Sequence, residues 1–102
     1  MTRLADIYND CLETLDYSAL PDTARHAMRS YVERGVSPGT GIRLILENDL
    51  AAVLHFEDME TLRATVRWVH SNLHGSLWGS ASHMRNWQSF ARQRASESRK
   101  AC

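Results

Sequence analysis

Cysteine is scarce in this chain: Cys11 and Cys102 are the only two among 102 residues. One falls inside a helical pattern and the other is the last residue, so they do not form a disulfide framework. That usage points to a reducing cytoplasm rather than an oxidising compartment. The opening MTRLADIYND lacks the apolar run of a signal peptide. No stretch reaches the ~18 consecutive apolar residues that a membrane span needs. There is no internal repeat, and no low-complexity segment ahead of the polar C-terminal end. Net charge is also missing: 12 basic and 12 acidic residues cancel, which removes any general attraction to nucleic acid.

The charges are nevertheless segregated. Residues 1–60 hold eleven acids against five arginines, a net of −6, and residues 61–102 hold seven bases against one acid, a net of +6. Two such halves either attract each other within one bundle or present two surfaces of opposite sign, one of them for a partner. The length suits one domain with one modest core. That domain is expected over residues 1–92, followed by a polar, frayed tail over 93–102, QRASESRKAC with its flanking arginine.

The longest apolar stretch, Gly35 to Leu54, is expected to form the central helix. Ser37-Pro38 is a helix start signal, with Thr40 as a rival cap. Ile42, Ile45, Leu46, Leu50 and Val53 recur at helical spacing, while Leu44 and Ala51 lie nearly opposite. A helix apolar on two sides belongs in the middle of a bundle. Asp49 falls inside the main apolar stripe, where an unpaired charge would be costly. It is therefore expected to be a structural, at least half-buried carboxylate bonded to donors outside its own helix, such as backbone N–H groups of residues 75–82.

Around it four more helices are expected. Residues 3–16 carry an apolar stripe of Leu4, Ile7, Tyr8, Cys11, Leu12 and Leu15, with Asp6, Asp10 and Glu13 on the other side. Pro21-Asp22 opens a second helix that turns Ala24, Ala27, Met28, Tyr31 and Val32 inward and ends at Gly35. Arg29 and Glu33 form an i,i+4 pair on its outside. Asp58 caps a helix over about 59–74, whose seam is Met59, Leu62, Val66, Val69 and Leu73, with Trp68 covering the core beside it. Gly75 stops it. Trp78, between two Gly-Ser pairs, plugs one end of the core. Ser80 or Ser82 caps a fifth helix with Met84, Trp87, Phe90 and Ala91 facing inward. The fold class is thus all-α, a compact irregular bundle of four to five helices.

No catalytic constellation stands out. His70 and His74 share a helix face at a spacing that can hold zinc, but no third and fourth ligand accompanies them and HExxH is absent. Surface histidines near a helix end are the ordinary reading, so no metal and no cofactor are expected. Serines and histidines are scattered, and nothing in the sequence selects a nucleophile–base pair. GVSPGTG lacks the Gly-Lys-Ser/Thr ending of a phosphate loop and follows a helix. VERGVSPGTGIRLIL looks like the turn and recognition helix of bacterial repressors, which gives a DNA-binding regulator of the phage type as the alternative. Against that, Tyr31 is bulky where a small residue is usual, Gly41 stands where an apolar one is expected, and Arg43 is the only base in the segment.

The elements Leu20-Pro21, Tyr31, Gly35, Pro38-Gly39, Asn48-Asp49-Leu50, Trp78-Gly79-Ser80 and Trp87 follow one another in a pattern that resembles a group of small phage and prophage proteins. The match covers about residues 20–87. The resemblance implies a mobile-element accessory protein made in a bacterial cytoplasm, and small phage proteins of this kind often bind and block host machinery, CRISPR-type defences included. The expected function is therefore non-enzymatic protein binding with inhibition of a host or defence protein. Trp78, Arg85 and Arg92 are the expected partner-binding residues, because exposed arginine and aromatic side chains are favoured at interfaces.

Overall fold

A computed structural model describes residues 3–49 and 58–100, with side chains as far as residue 97. Among these residues the secondary structure is helical throughout: α1 (Leu4–Thr14), α2 (Asp22–Arg34), α3 (Thr40–Leu46), α4 (Met59–Asn72) and α5 (Ala81–Lys100). The arrangement is an all-α bundle, with α2 in the middle. It packs most extensively on α5, also on α1, while α3 lies against α4. The Cα radius of gyration is 13.4 Å, close to the ~13 Å of a compact chain of this length.

Local signals explain most helix ends. Pro21 precedes α2, and Asp22 in the first turn pairs with Arg25 at 3.0 Å. Asp58 caps α4, accepting from the Glu60 N–H at 2.9 Å and the Thr61 hydroxyl at 2.8 Å. The Thr61 hydroxyl and then the Glu60 N–H hold the Asp58 carboxyl below its usual range. Ser80 caps α5 by accepting the His83 N–H at 3.2 Å. Gly35 terminates α2 with φ +69°, a left-handed turn that costs glycine nothing.

The core is built from the expected inward faces. Met28, Tyr31, Val32, Leu46, Val69, Leu77, Trp87 and Ala91 are all fully buried. Trp68 covers the core as expected, stacked on Tyr17 with ring centroids 5.5 Å apart and its indole N–H donating to the Asp16 carbonyl at 2.9 Å. Trp78 is half-buried against the core; its indole N–H reaches the Leu73 carbonyl at 3.3 Å and its ring meets His70 edge-on at 4.5 Å.

Three expectations need correction. The central helix starts at Thr40 and ends at Leu46, not at residue 54; residues 50–57 lie outside the described ones. Asn48 takes φ +62°, a conformation that asparagine tolerates and that stops a helix. Asp49 therefore lies beyond the helix rather than in its apolar stripe. It is exposed, and its backbone N–H returns to the Leu44 carbonyl at 2.9 Å. From the loop after α4, the Gly79 N–H donates to the Leu46 carbonyl, at the C-terminus of α3, at 2.6 Å. Second, α5 does not fray at residue 93 but continues to Lys100. Third, Leu12 and Met59 are not in the core; they are 48% and 47% exposed.

Candidate protein-binding groove

The C-terminus of α2 is where the chain's distant parts meet. Gly35 N–H closes onto the Tyr31 carbonyl at 3.0 Å, but the later carbonyls of a helix have no partner within it. Here they are served from α1 and α5. The Trp87 indole N–H donates to the Val32 carbonyl at 3.0 Å, and the Tyr8 hydroxyl donates to the Glu33 carbonyl at 2.6 Å. Arg92 Nε donates to the Gly35 carbonyl at 3.0 Å, with Gln88 Nε2 at 3.4 Å from the same oxygen. A guanidinium at this position also faces the negative end of the helix dipole. Helix α5 passes so close that a Cβ on Gly35 would run into the Gln88 carbonyl.

Beside this junction runs a groove of about 760 Å³ between α1, the end of α2 and α5. Leu12 supplies one wall, Val36 the turn side and Ala95 the α5 side. Leu12 and Val36 are each 48% exposed, two of the three large apolar side chains so exposed among the described residues, and both open onto this one groove. Its charged groups are Glu33, Arg34 and Arg92. Glu33 is already paired with Arg29 at 3.1 Å, as the sequence spacing suggested. Arg34 rests on the Ser30 hydroxyl at 3.2 Å and Arg92 on the Gly35 carbonyl, both neutral acceptors.

The expected partner-binding residues are only partly brought together. Arg92 lines the groove, whereas Arg85 and Trp78 do not. Arg85 is exposed two turns earlier on α5, beside the Ser82 hydroxyl at 3.3 Å, and Trp78 is held against α4 by the contacts given above. Leu12 and Val36 carry no sequence signal that separates them from core positions: Leu12 stands at helical spacing with its buried neighbours, and only packing tells which edge of that stripe meets water.

Elsewhere the chemistry is sparse. A cleft of about 360 Å³ brings Asp6 and Asp10 near Cys11 and His74, yet among the described residues no group of three His, Cys, Asp or Glu side chains could hold a metal ion. The Cys11 thiol is buried and is pushed up to about 11, first by burial and then by Asp10 and Glu33. His74 accepts the Ser76 N–H at Nδ1, 3.1 Å away, which ties its ring to the turn after α4. The structure does select one Ser–His pair, which scattered positions in the sequence could not: Ser80 Oγ lies 2.7 Å from His83 Nδ1. The same oxygen caps α5, and the pair is a local contact at the helix start. The segment that resembles a repressor recognition helix is the seven-residue α3, in which Ile42, Leu44, Ile45 and Leu46 are buried and Arg43 is exposed. Among the described residues no helix is long and apolar enough to cross a membrane.

No protein-family model, curated protein or solved structure matches the chain.

Proposed function

We propose that this is a non-enzymatic accessory protein of the phage type, working in the bacterial cytoplasm, that binds and thereby inhibits a host or defence protein of the CRISPR kind. The observation that carries the binding part is the groove in which Leu12 and Val36 stay exposed although a compact core lies next to them. Apolar side chains gathered at one concave place, with arginines at the rim, have the composition of a protein interface. The phage context rests on the sequence resemblance. The DNA-binding alternative fares worse physically. A helix of seven residues with four of them buried has little surface left to enter a major groove, and one exposed arginine is few for phosphate contacts.

The test is plating of a targeted phage on bacteria with an active CRISPR-type defence, with and without this protein expressed. Wild type is expected to raise plating, and Leu12→Asp with Val36→Asp is expected to abolish the effect while leaving the circular dichroism spectrum of the purified protein unchanged. Equal plating with and without the wild-type protein, across representative defence types, would remove the inhibitory reading.

A further inference from the structure

We infer that the groove between α1, the C-terminus of α2 and α5 takes an acidic amphipathic segment of the partner protein, an inference that rests on the protein-binding reading above. The argument is charge complementarity around an apolar floor. Leu12, Val36 and Ala95 offer surface that gains from burial. Three charged side chains border that floor, and their charges are not equally spent. The Glu33 carboxylate is neutralised by Arg29 at 3.1 Å. Arg34 and Arg92 make no ion pair among the described residues, and each is held by a neutral oxygen. Both guanidiniums are exposed and keep N–H donors for a planar, two-oxygen acceptor. A partner surface that satisfies all of this presents apolar side chains in the centre and carboxylates at the flanks.

Phosphates would also answer two arginines. A nucleic-acid backbone, however, has no use for Leu12 and Val36, whose apolar surface gains nothing from a phosphate. The apolar floor is the feature that decides for a protein segment. The two arginines also differ in what holds them. Arg34 lies at the exposed end of α2, where its substitution leaves the junction intact. Arg92 is part of the junction, so Arg92→Gln, which retains an N–H donor, is the gentler change there.

The experiment uses fluorescein-labelled designed helices of about four turns, with leucines along one face and glutamates flanking them. A second series carries lysine at the flanking positions and a third glutamine. Binding to the full-length protein is read by fluorescence anisotropy. The glutamate helix is expected to bind roughly tenfold tighter than the lysine helix, a difference reasonable for two rim charge pairs. Arg34→Glu alone should narrow that gap, and Arg34→Glu with Arg92→Glu should invert it in favour of lysine. Arg92→Gln should weaken the glutamate helix without inverting the preference. Leu12→Asp with Val36→Asp should abolish binding of all three helices. Equal binding of the glutamate and lysine helices, or of none of them, overturns the inference. So does displacement of the glutamate helix by random duplex DNA at physiological salt. Failure of the plating effect together with an inverted preference in the double arginine variant would sink the defence reading and keep the acidic-segment groove. A plating effect lost on Leu12 and Val36 substitution but indifferent to the arginines would do the reverse.

Discussion

At the scale of single residues, two buried tyrosines make opposite cases. Tyr31 is fully buried, and its hydroxyl donates to the Leu77 carbonyl at 2.5 Å, across 46 positions of sequence. Tyr31→Phe leaves that buried carbonyl without its donor and is expected to cost about 1–3 kcal/mol in denaturant unfolding. The Tyr17 hydroxyl is buried and has no partner within hydrogen-bond geometry among the described residues, although the Glu33 carboxylate lies close by. Burial, and then the Glu33 carboxylate nearby, hold its pKa well above the ordinary phenol range, so it stays neutral. Tyr17→Phe keeps the stack on Trp68 and removes an unpaired polar atom, so stability should stay within about 0.5 kcal/mol of wild type or rise.

Cys11 gives the pH dependence. Burial, as the main cause, pushes its thiol up from the ordinary 9.0 to about 11 in the folded protein. A raised pKa means that the folded state holds the proton more firmly than the unfolded one. The associated stability is therefore fully present below pH 9 and is lost as pH rises from 9 through 11, about 3 kcal/mol at most. Cys11→Ala should flatten that alkaline loss in unfolding curves taken across the interval. At neutral pH, iodoacetamide should modify Cys11 far more slowly in the folded protein than in urea, since the thiol is both buried and un-ionised. Alkylation at equal rates would show that α1 opens readily.

At the scale of elements, two left-handed residues define where helices stop. Gly35→Ala combines a φ of +69° with a collision against the Gln88 backbone carbonyl, and neither can be relieved by a rotamer change. It should cost ~2 kcal/mol or more. Asn48→Gly should be tolerated within about 0.5 kcal/mol, whereas Asn48→Val should cost about 1–2 kcal/mol, because a β-branched residue resists φ +62°. Both are measured by equilibrium unfolding. The comparison also explains what could be read from the sequence. Gly35, Asp58 and Ser80 announce their helix ends chemically, since each residue type is selected for its cap, and the inward faces of α2 and α5 follow from period alone. The end of α3 was hidden because apolar spacing runs on through Leu50 and Val53 and conceals a terminator made of asparagine rather than glycine. The persistence of α5 was hidden because polar residues suggested an unravelled tail, although Arg, Gln, Ala, Glu and Lys are strong helix formers. The groove was half legible: Arg92 could be picked out as an interface arginine, while the exposure of Leu12 depends on how far α5 sits from α1.

At the scale of the whole molecule, the opposite charges of the two halves do not pair off among the described residues. The ion pairs Asp22–Arg25, Arg29–Glu33 and Arg94–Glu97 each lie within one helix. The last turns of α5 add a wall to the groove through Ala95, but among the described side chains none beyond Ala91 joins the fully buried core. Deleting residues 93–102 should therefore leave a cooperatively folding protein whose Tm falls by roughly 4–8 °C. The same deletion removes the Ala95 wall but keeps Leu12, Val36, Arg34 and Arg92, so it should weaken the glutamate helix without inverting its preference over the lysine helix.

The junction at the end of α2 has a consequence in time as well as in space. Val32, Glu33 and Gly35 leave the ribosome with two of their donors still unmade, since Trp87 and Arg92 follow 55 and 57 positions later. Tyr8 has already emerged and can engage the Glu33 carbonyl at once. During synthesis, then, α1 and α2 are the pair available to dock before α5 exists, with the Val32 and Gly35 carbonyls still open. Water must stand in for the indole and the guanidinium until α5 arrives. Contacts of such long sequence separation close slowly, so the last helix, the one that completes the groove around Leu12 and Val36, is also the last that the chain can place.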